Sequence, residues 1–271
     1  MTHNLLEGKR GIIFGAINEQ SIAWAVAKQA TIEGAQIVLT NTAVAVRFGN
    51  IKRLSEQLNM PLIEADATSE NDLRHLLTEA QHLLGGKIDF ILHAAAMSAN
   101  IRKHNEYNQL NYTYFQQTLD ISAISFHKLL QIAFELDAIA EYGSVVALSF
   151  IASQRAYANY NDMSDAKAML ESITRNFGMI YGEQKHVRIN TISQSPTLTT
   201  AGSGIEGFQK FYNIADTIAP LGNASAQDCA EFCVMLFSDY TRKVTMQTLY
   251  NDGGFSTTGM SHKYIDFLES K

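Results

Sequence analysis

The chain has 271 residues, of which 46% are hydrophobic and 18% charged, with only three prolines. That mixture belongs to a chain with a large core and excludes a disordered tail or a collagen-like rod. The 21 basic and 27 acidic residues leave a net charge of −6 with no Lys/Arg run, which speaks against a nucleic-acid partner. Cys229 and Cys233 lie in one apolar-periodic segment, so a disulfide framework is excluded and a four-cysteine zinc site lacks its ligands. The first ten residues contain no apolar h-region, and no apolar run reaches the roughly 18 residues of a membrane span. The expected setting is a reducing cytoplasm, without membrane attachment.

Along the chain, short β-rich runs at 11–14, 36–40, 61–65, 88–93, 144–149, 187–192 and 248–250 read as strands. Helical periodicity between them predicts helices near 21–33, 47–59, 70–84, 120–135, 161–181 and 225–238. The last is the clearest, because Cys229, Phe232, Cys233, Leu236 and Phe237 make one stripe of a 3.6-residue period. Ser225 and Asp228 supply a capping signal for its start, and Gly34 stands where the first helix needs a left-handed end. Alternating strands and helices predict right-handed βαβ units, hence one doubly wound α/β domain over 1–271 with a parallel sheet of seven strands. The stretch 197–221 breaks the rhythm. It is long, carries Gly202, Gly204 and Gly207, and has the character of a functional lid.

The first strand runs into Gly15, and Ser21 and Ile22 open a helix six and seven residues later. A glycine there lets the backbone approach a pyrophosphate, and a helix N-terminus offers unpaired N–H groups. Ser21 is expected to cap that helix and reach a phosphate oxygen. The second strand ends near Thr42 without the usual acid, while Arg47, Lys52 and Arg53 beyond it suit either a 2′-phosphate site or a solvated face. The solvated face is the favoured reading, so NADH is the expected cofactor, with NADPH left open. The third strand ends in Asp66 and Ala67, an acid for an adenine amino group, and the fourth in small residues around Ala95. His93, His127 and His186 are scattered, and no metal site is expected.

Tyr160 and Lys167 stand seven apart, almost two helical turns, which on a helix places them on one face roughly 10 Å apart. A lysine cation beside a phenol favours the phenolate.

With these motifs the chain resembles the short-chain dehydrogenase/reductase superfamily, and within it the bacterial enoyl-acyl-carrier-protein reductases of fatty-acid synthesis. The resemblance spans about residues 5–260. It is carried by the glycine turn with Ser21-Ile22-Ala23-Trp24, by 120–126, by Asn159 to Lys167, and by 187–192, 201–205 and 251–255. It implies a Rossmann-like fold, with Tyr160 facing a thioester carbonyl and Lys167 on the nicotinamide ribose. It further implies dinucleotide contacts at Gly15, Ser21, Ile22, Thr42, Asp66, Ala67, Ala95, Thr197, Leu198, Thr199, Thr200 and Ala201, with substrate contacts at Ser98, Phe150 and Tyr160. Acyl carrier protein as substrate carrier, a homotetramer, and 197–221 as a substrate-binding loop follow from the same resemblance. Two features depart from the family pattern. Phe150 stands where many relatives have a second tyrosine, and Ala94-Ala95-Ala96 replaces the usual Ser-Ile-Gly. Two alternatives remain at this point: a carbonyl reductase, whose usual serine thirteen residues before the tyrosine is here Ala147, and a regulatory protein that binds cofactor without catalysis.

Overall fold

The computed structural model describes residues 3–200, 202 and 205–269. Seven strands form one sheet: β1 (Arg10–Phe14), β2 (Gln36–Asn41), β3 (Leu62–Glu64), β4 (Ile88–His93), β5 (Ile139–Ser149), β6 (Arg188–Gln194) and β7 (Thr248–Asn251). Their order is β3-β2-β1-β4-β5-β6-β7, and every neighbouring pair is parallel. Strand order reverses between β1 and β4, so the connections leaving these two strands diverge and open a crevice at their carboxyl ends.

Burial on both faces follows from the strand period of two. Ile12, Ile91, Val145 and Ile189 belong to one core layer, whereas Ile13, Leu92, Val146 and Ile192 belong to the other. The first layer is closed by α4 (Glu70–Leu84), α7 (Ser125–Glu135) and α8 (Asp162–Lys185), which contribute Leu77, Phe126 and Leu170. The second is closed by α1 (Ile22–Ile32) and α10 (Ala226–Phe237), with Trp24, Cys229 and Cys233. Both cysteines are free and buried, acting as small apolar side chains. Each fully buried side chain such as Phe90, stacked at 4.4 Å on Phe237, contributes about 2 kcal/mol by its burial.

Local signals in the sequence map onto this frame. Ser225 and Asp228 form a reciprocal capping box at α10, and Gly34 ends α1 with φ +96°. Two expectations are corrected. The helix expected over 47–59 is two, α2 (Ala43–Phe48) and α3 (Ile51–Gln57), because the backbone is extended at Gly49 and Asn50 N–H is drawn to Ile17 O at 2.9 Å. The helix expected from 120 starts earlier, as α6 (Tyr112–Leu119), where Asn111 accepts from Tyr114 N–H. It joins α7 through one π-helical turn at Asp120–Ile124. The short α5 (Ala99–Arg102) precedes it, α9 (Phe208–Ile218) lies inside 197–221, and α11 (His262–Glu269) closes the described chain.

Candidate active site

A cavity of about 250 Å³ opens at the carboxyl ends of β4, β5 and β6. Its lining brings together Ile22, Ser98, Phe150, Tyr160, Lys167, Thr197 and Thr199, which the sequence had scattered over 178 positions. Gly15, Thr42, Asp66, Ala67 and Ala95 follow β1 to β4 along the same edge of the parallel sheet.

Tyr160 does not stand on α8, contrary to the expected helical spacing. Asn161 has φ 43° and ψ −135°, so the helix begins only at Asp162 and Tyr160 occupies the preceding turn. The turn is held from below. Asp162 is fully buried and accepts from Ser98 Oγ at 2.7 Å, Asn100 Nδ2 at 2.8 Å and Thr118 Oγ1 at 2.9 Å. The Ser98 hydroxyl is therefore engaged, and it also accepts from Ile101 N–H at 3.0 Å to start α5. Ser98 lines the cavity but does structural work there.

Lys167 is buried, and its ammonium donates to Leu148 O at 2.7 Å. Burial brings its pKa down to about 8, with Glu171 opposing the shift. For Tyr160, burial and then the Tyr157 hydroxyl push the phenol well above its ordinary range, the opposite of the phenolate expected beside a lysine. A neutral phenol is a hydrogen-bond donor. His93 at the end of β4 shares 2.9 Å with Ser125 Oγ, and burial followed by the Lys167 charge brings its pKa down to about 3. It is a neutral imidazole packed against Phe14 and Phe126.

Phe150 packs on the catalytic candidate with ring centroids 4.8 Å apart, and Tyr157 meets Phe150 edge-on at 5.0 Å. Tyr157 was not singled out from sequence. It lines the cavity, touches Phe211 of α9 at 5.3 Å, and brings a second phenol where Phe150 offers none. Glu171, one helical turn beyond Lys167, was also missed, because nothing in the spacing separates it from a helix-surface acid.

The glycine turn is built for close approach. Gly15 has φ +95°, and a Cβ there would lie 2.5 Å from Ala94 O. Ser21 does not cap α1, which corrects the expectation. Its Oγ instead accepts from Ile17 N–H and Asn18 N–H, both at 3.1 Å, and rigidifies the turn. The N-terminus of α1 thus carries no side-chain cap and keeps donors for an anion. Thr42 caps α2, and Asn41 Nδ2 donates to Ala16 O at 2.9 Å. Asp66 Oδ1 accepts from Thr68 N–H and Oγ1. Arg53 pairs with Glu19 at 2.9 Å and Arg47 lies over the Phe48 ring, so neither is held for a 2′-phosphate. Thr197 is buried with Oγ1 donating to Ser195 O, Leu198 is exposed, and Thr199 accepts from Gly202 N–H. Asn18 Nδ2 donates to Thr200 Oγ1 at 2.8 Å, tying the lid segment to the glycine turn. Ala201 lies outside the described residues.

A doubly wound parallel sheet, an uncapped helix N-terminus behind a glycine turn, and a tyrosine–lysine pair at the switch point define a nicotinamide-dependent oxidoreductase of the short-chain dehydrogenase/reductase type. The family model described as "Enoyl-(Acyl carrier protein) reductase" matches residues 15–256. The enoyl-acyl-carrier-protein reductase (NADH) FabI of Rickettsia bellii is 34% identical over 267 residues, covering 98% of this chain and 100% of that protein. A second such reductase (NADH), from Rhizobium meliloti, is 31% identical with 95% of each chain covered. Among solved structures, the FabI–NADH complex from Alistipes finegoldii is 60% identical with a TM-score of 0.95, covering 97% of this chain and 93% of that one. The chain belongs to the enoyl-acyl-carrier-protein reductase family.

Proposed function

We propose that this protein reduces the carbon–carbon double bond of trans-2-enoyl thioesters carried on acyl carrier protein, with NADH as reductant, in fatty-acid elongation. The observation that carries the reading is the convergence of Tyr160 and Lys167 on one apolar cavity at the strand-order reversal, in a chain of this family. When bound, NADH would supply the hydride that adds to the β-carbon, and a solvent proton would complete the reduction at the α-carbon. Electron density then accumulates on the thioester oxygen, and Tyr160, held neutral by its burial, donates a hydrogen bond to that oxygen. Lys167 would hold the ribose and add positive charge beside Tyr160. Gly15, Ser21, Ile22, Thr42, Asp66, Ala67, Ala95 and 197–201 would hold the dinucleotide. Among these, the open donors of α1 and the Cβ-free approach at Gly15 are the features that fit a pyrophosphate. Phe150 and Tyr157 would line the acyl path, and 197–221 would close over the substrate.

The carbonyl-reductase alternative needs a hydroxyl near Tyr160 from the end of β5. Ala147 is fully buried in the core, and the Ser149 hydroxyl is spent on Glu171 at 2.6 Å, which weighs against that reading. A homotetramer is also proposed, supported by the exposed Met169 and Met179 on α8. So is a cytoplasmic location, in keeping with the absence, among the described residues, of any helix long and apolar enough to cross a membrane. The test is absorbance at 340 nm with crotonyl and 3-oxoacyl thioesters, each run with NADH. Rapid oxidation with the first alone is expected. Turnover of the 3-oxoacyl substrate, or none of either despite normal NADH binding, would refute the reading.

A further inference from the structure

We propose that Glu171 is a positioning residue for the reduction, keeping Lys167 cationic and locking the turn that holds Phe150 against the cavity. The inference deepens the function proposed above and rests on it. Lys167 and Glu171 are i and i+4 on α8 and leave the same face of the helix. They grip successive residues of the end of β5, since Lys167 donates to Leu148 O at 2.7 Å and Ser149 Oγ donates to Glu171 Oε1 at 2.6 Å. Ser153 Oγ donates to the same oxygen at 2.5 Å, and Gln154 Nε2 to Oε2 at 3.2 Å. Three donors thus reach Glu171 from both sides of Phe150, the arrangement suited to a carboxylate, which only accepts. Glu171 is 4% exposed.

This placement answers an electrostatic need. Lys167 is buried and desolvation favours its neutral form, whereas a ribose and a developing enolate call for an ammonium. The groups around it decide which form prevails. From β4 comes His93, neutral through the working range. From the turn before α8 comes Tyr160, whose phenol stays protonated. From α8 itself comes Glu171, which opposes the desolvation of Lys167. On the far side of Glu171, Tyr250 of β7 donates to Gln154 Oε1 at 2.6 Å, and Arg155 and Asp252 act on that tyrosine from opposite signs. Of the groups acting on Lys167, Glu171 is the one whose charge favours the ammonium.

The experiment compares wild type, Glu171→Gln, Ser153→Ala and Lys167→Arg. It follows the pH dependence of kcat/KM on a crotonyl thioester and, without thioester, that of the NADH dissociation constant by fluorescence. In the wild type both should deteriorate above about pH 8, where Lys167 loses its proton. Glu171→Gln should move both declines down by about half a pH unit or more. Ser153→Ala loosens the turn but keeps the charge, so it should lower kcat/KM and leave the declines in place. A uniform loss in Glu171→Gln with unmoved declines would reduce Glu171 to packing and overturn the proposal. Should Glu171→Gln fail to fold, Lys167→Arg still decides. Arginine keeps its proton, so a decline that persists in that variant does not belong to Lys167, and the proposal falls. A protein that binds NADH yet reduces no thioester at any pH sinks the functional reading instead, and the NADH-binding curves then judge Glu171 alone.

Discussion

The two sides of the cavity are made of different material. On the strand side, Lys167, Glu171 and Asp162 of α8 and His93 at the end of β4 are all buried and hydrogen-bonded. On the lid side, α9 has a single buried residue, Ala215. The lid segment reaches the rest of the rim through surface contacts, such as His104 with Glu206 at 3.1 Å and Asn18 with Thr200 at 2.8 Å. A buried polar network loses several kcal/mol when one member is displaced, whereas an exposed ion pair contributes at most about 1 kcal/mol. The strand side is therefore stiff enough to place reacting groups, and the lid is cheap to open for a substrate that must enter and leave.

The largest effect should come from the stiff side. Tyr160→Phe removes a hydroxyl that makes no hydrogen bond to the described residues while retaining the ring packed on Phe150. We expect kcat to fall by about 10²–10³-fold, the usual loss for one oxyanion donor, with the thermal midpoint and NADH affinity nearly unchanged. Steady-state kinetics beside calorimetry would show it. A rate within threefold of wild type would remove Tyr160 from the chemistry.

A second test concerns the cost of that stiffness. The Lys167 pKa lies at about 8 in the folded protein against 10.5 for an ordinary lysine. Below pH 8 both states are protonated, and folding carries the full cost of a buried charge. Between these values the unfolded chain binds the proton and the folded one does not, so stability rises with pH. Lys167→Met should abolish that rise. Urea unfolding from pH 7 to 10 should show the wild type gaining on the variant by an amount approaching 1.4 kcal/mol per pH unit. The raised phenols of Tyr160 and Tyr181 act above pH 10 in both proteins and cancel in the difference. Parallel stability curves would mean that Lys167 is well solvated, and the contrast between the two sides would weaken.

How much of this was legible follows the same division. Strand and helix alternation predicted seven parallel strands because both sheet faces are buried, which leaves short apolar runs such as Phe90, Ile91 and Leu92. Tyr160 and Lys167 were readable because their spacing is local, and Phe150 through the family resemblance. The anions that hold them were not. Asp162 and Glu171 look like ordinary helix-surface acids in one dimension, and only the fold brings Ser98, Thr118 and Ser149 to their oxygens. Tyr157 escaped for a similar reason, since its partner Phe211 lies 54 positions away in the lid. The break at Gly49 and the uncapped start of α1 depend on hydrogen bonds to the 15–21 turn, which no periodicity encodes.

The smallest effect should come from the lid. Glu206→Gln removes the carboxylate that meets His104 Nδ1 at 3.1 Å, an ion pair when the imidazole is protonated, but leaves the Glu206 carbonyl to accept from Asn159 Nδ2. Both side chains of the pair are more than half exposed, so its loss corresponds to no more than about 1 kcal/mol, or roughly a fivefold change in an equilibrium. That energy bears on closure over the thioester and not on the hydride step. KM for the enoyl thioester should rise by about twofold to fivefold, with kcat and NADH affinity unchanged, and 0.5 M salt should erase the difference because exposed pairs are screened. A loss of kcat comparable to that of Tyr160→Phe would show the lid to be as tightly specified as the strand ends. The division of labour between a rigid wall and a yielding one would then have to be abandoned.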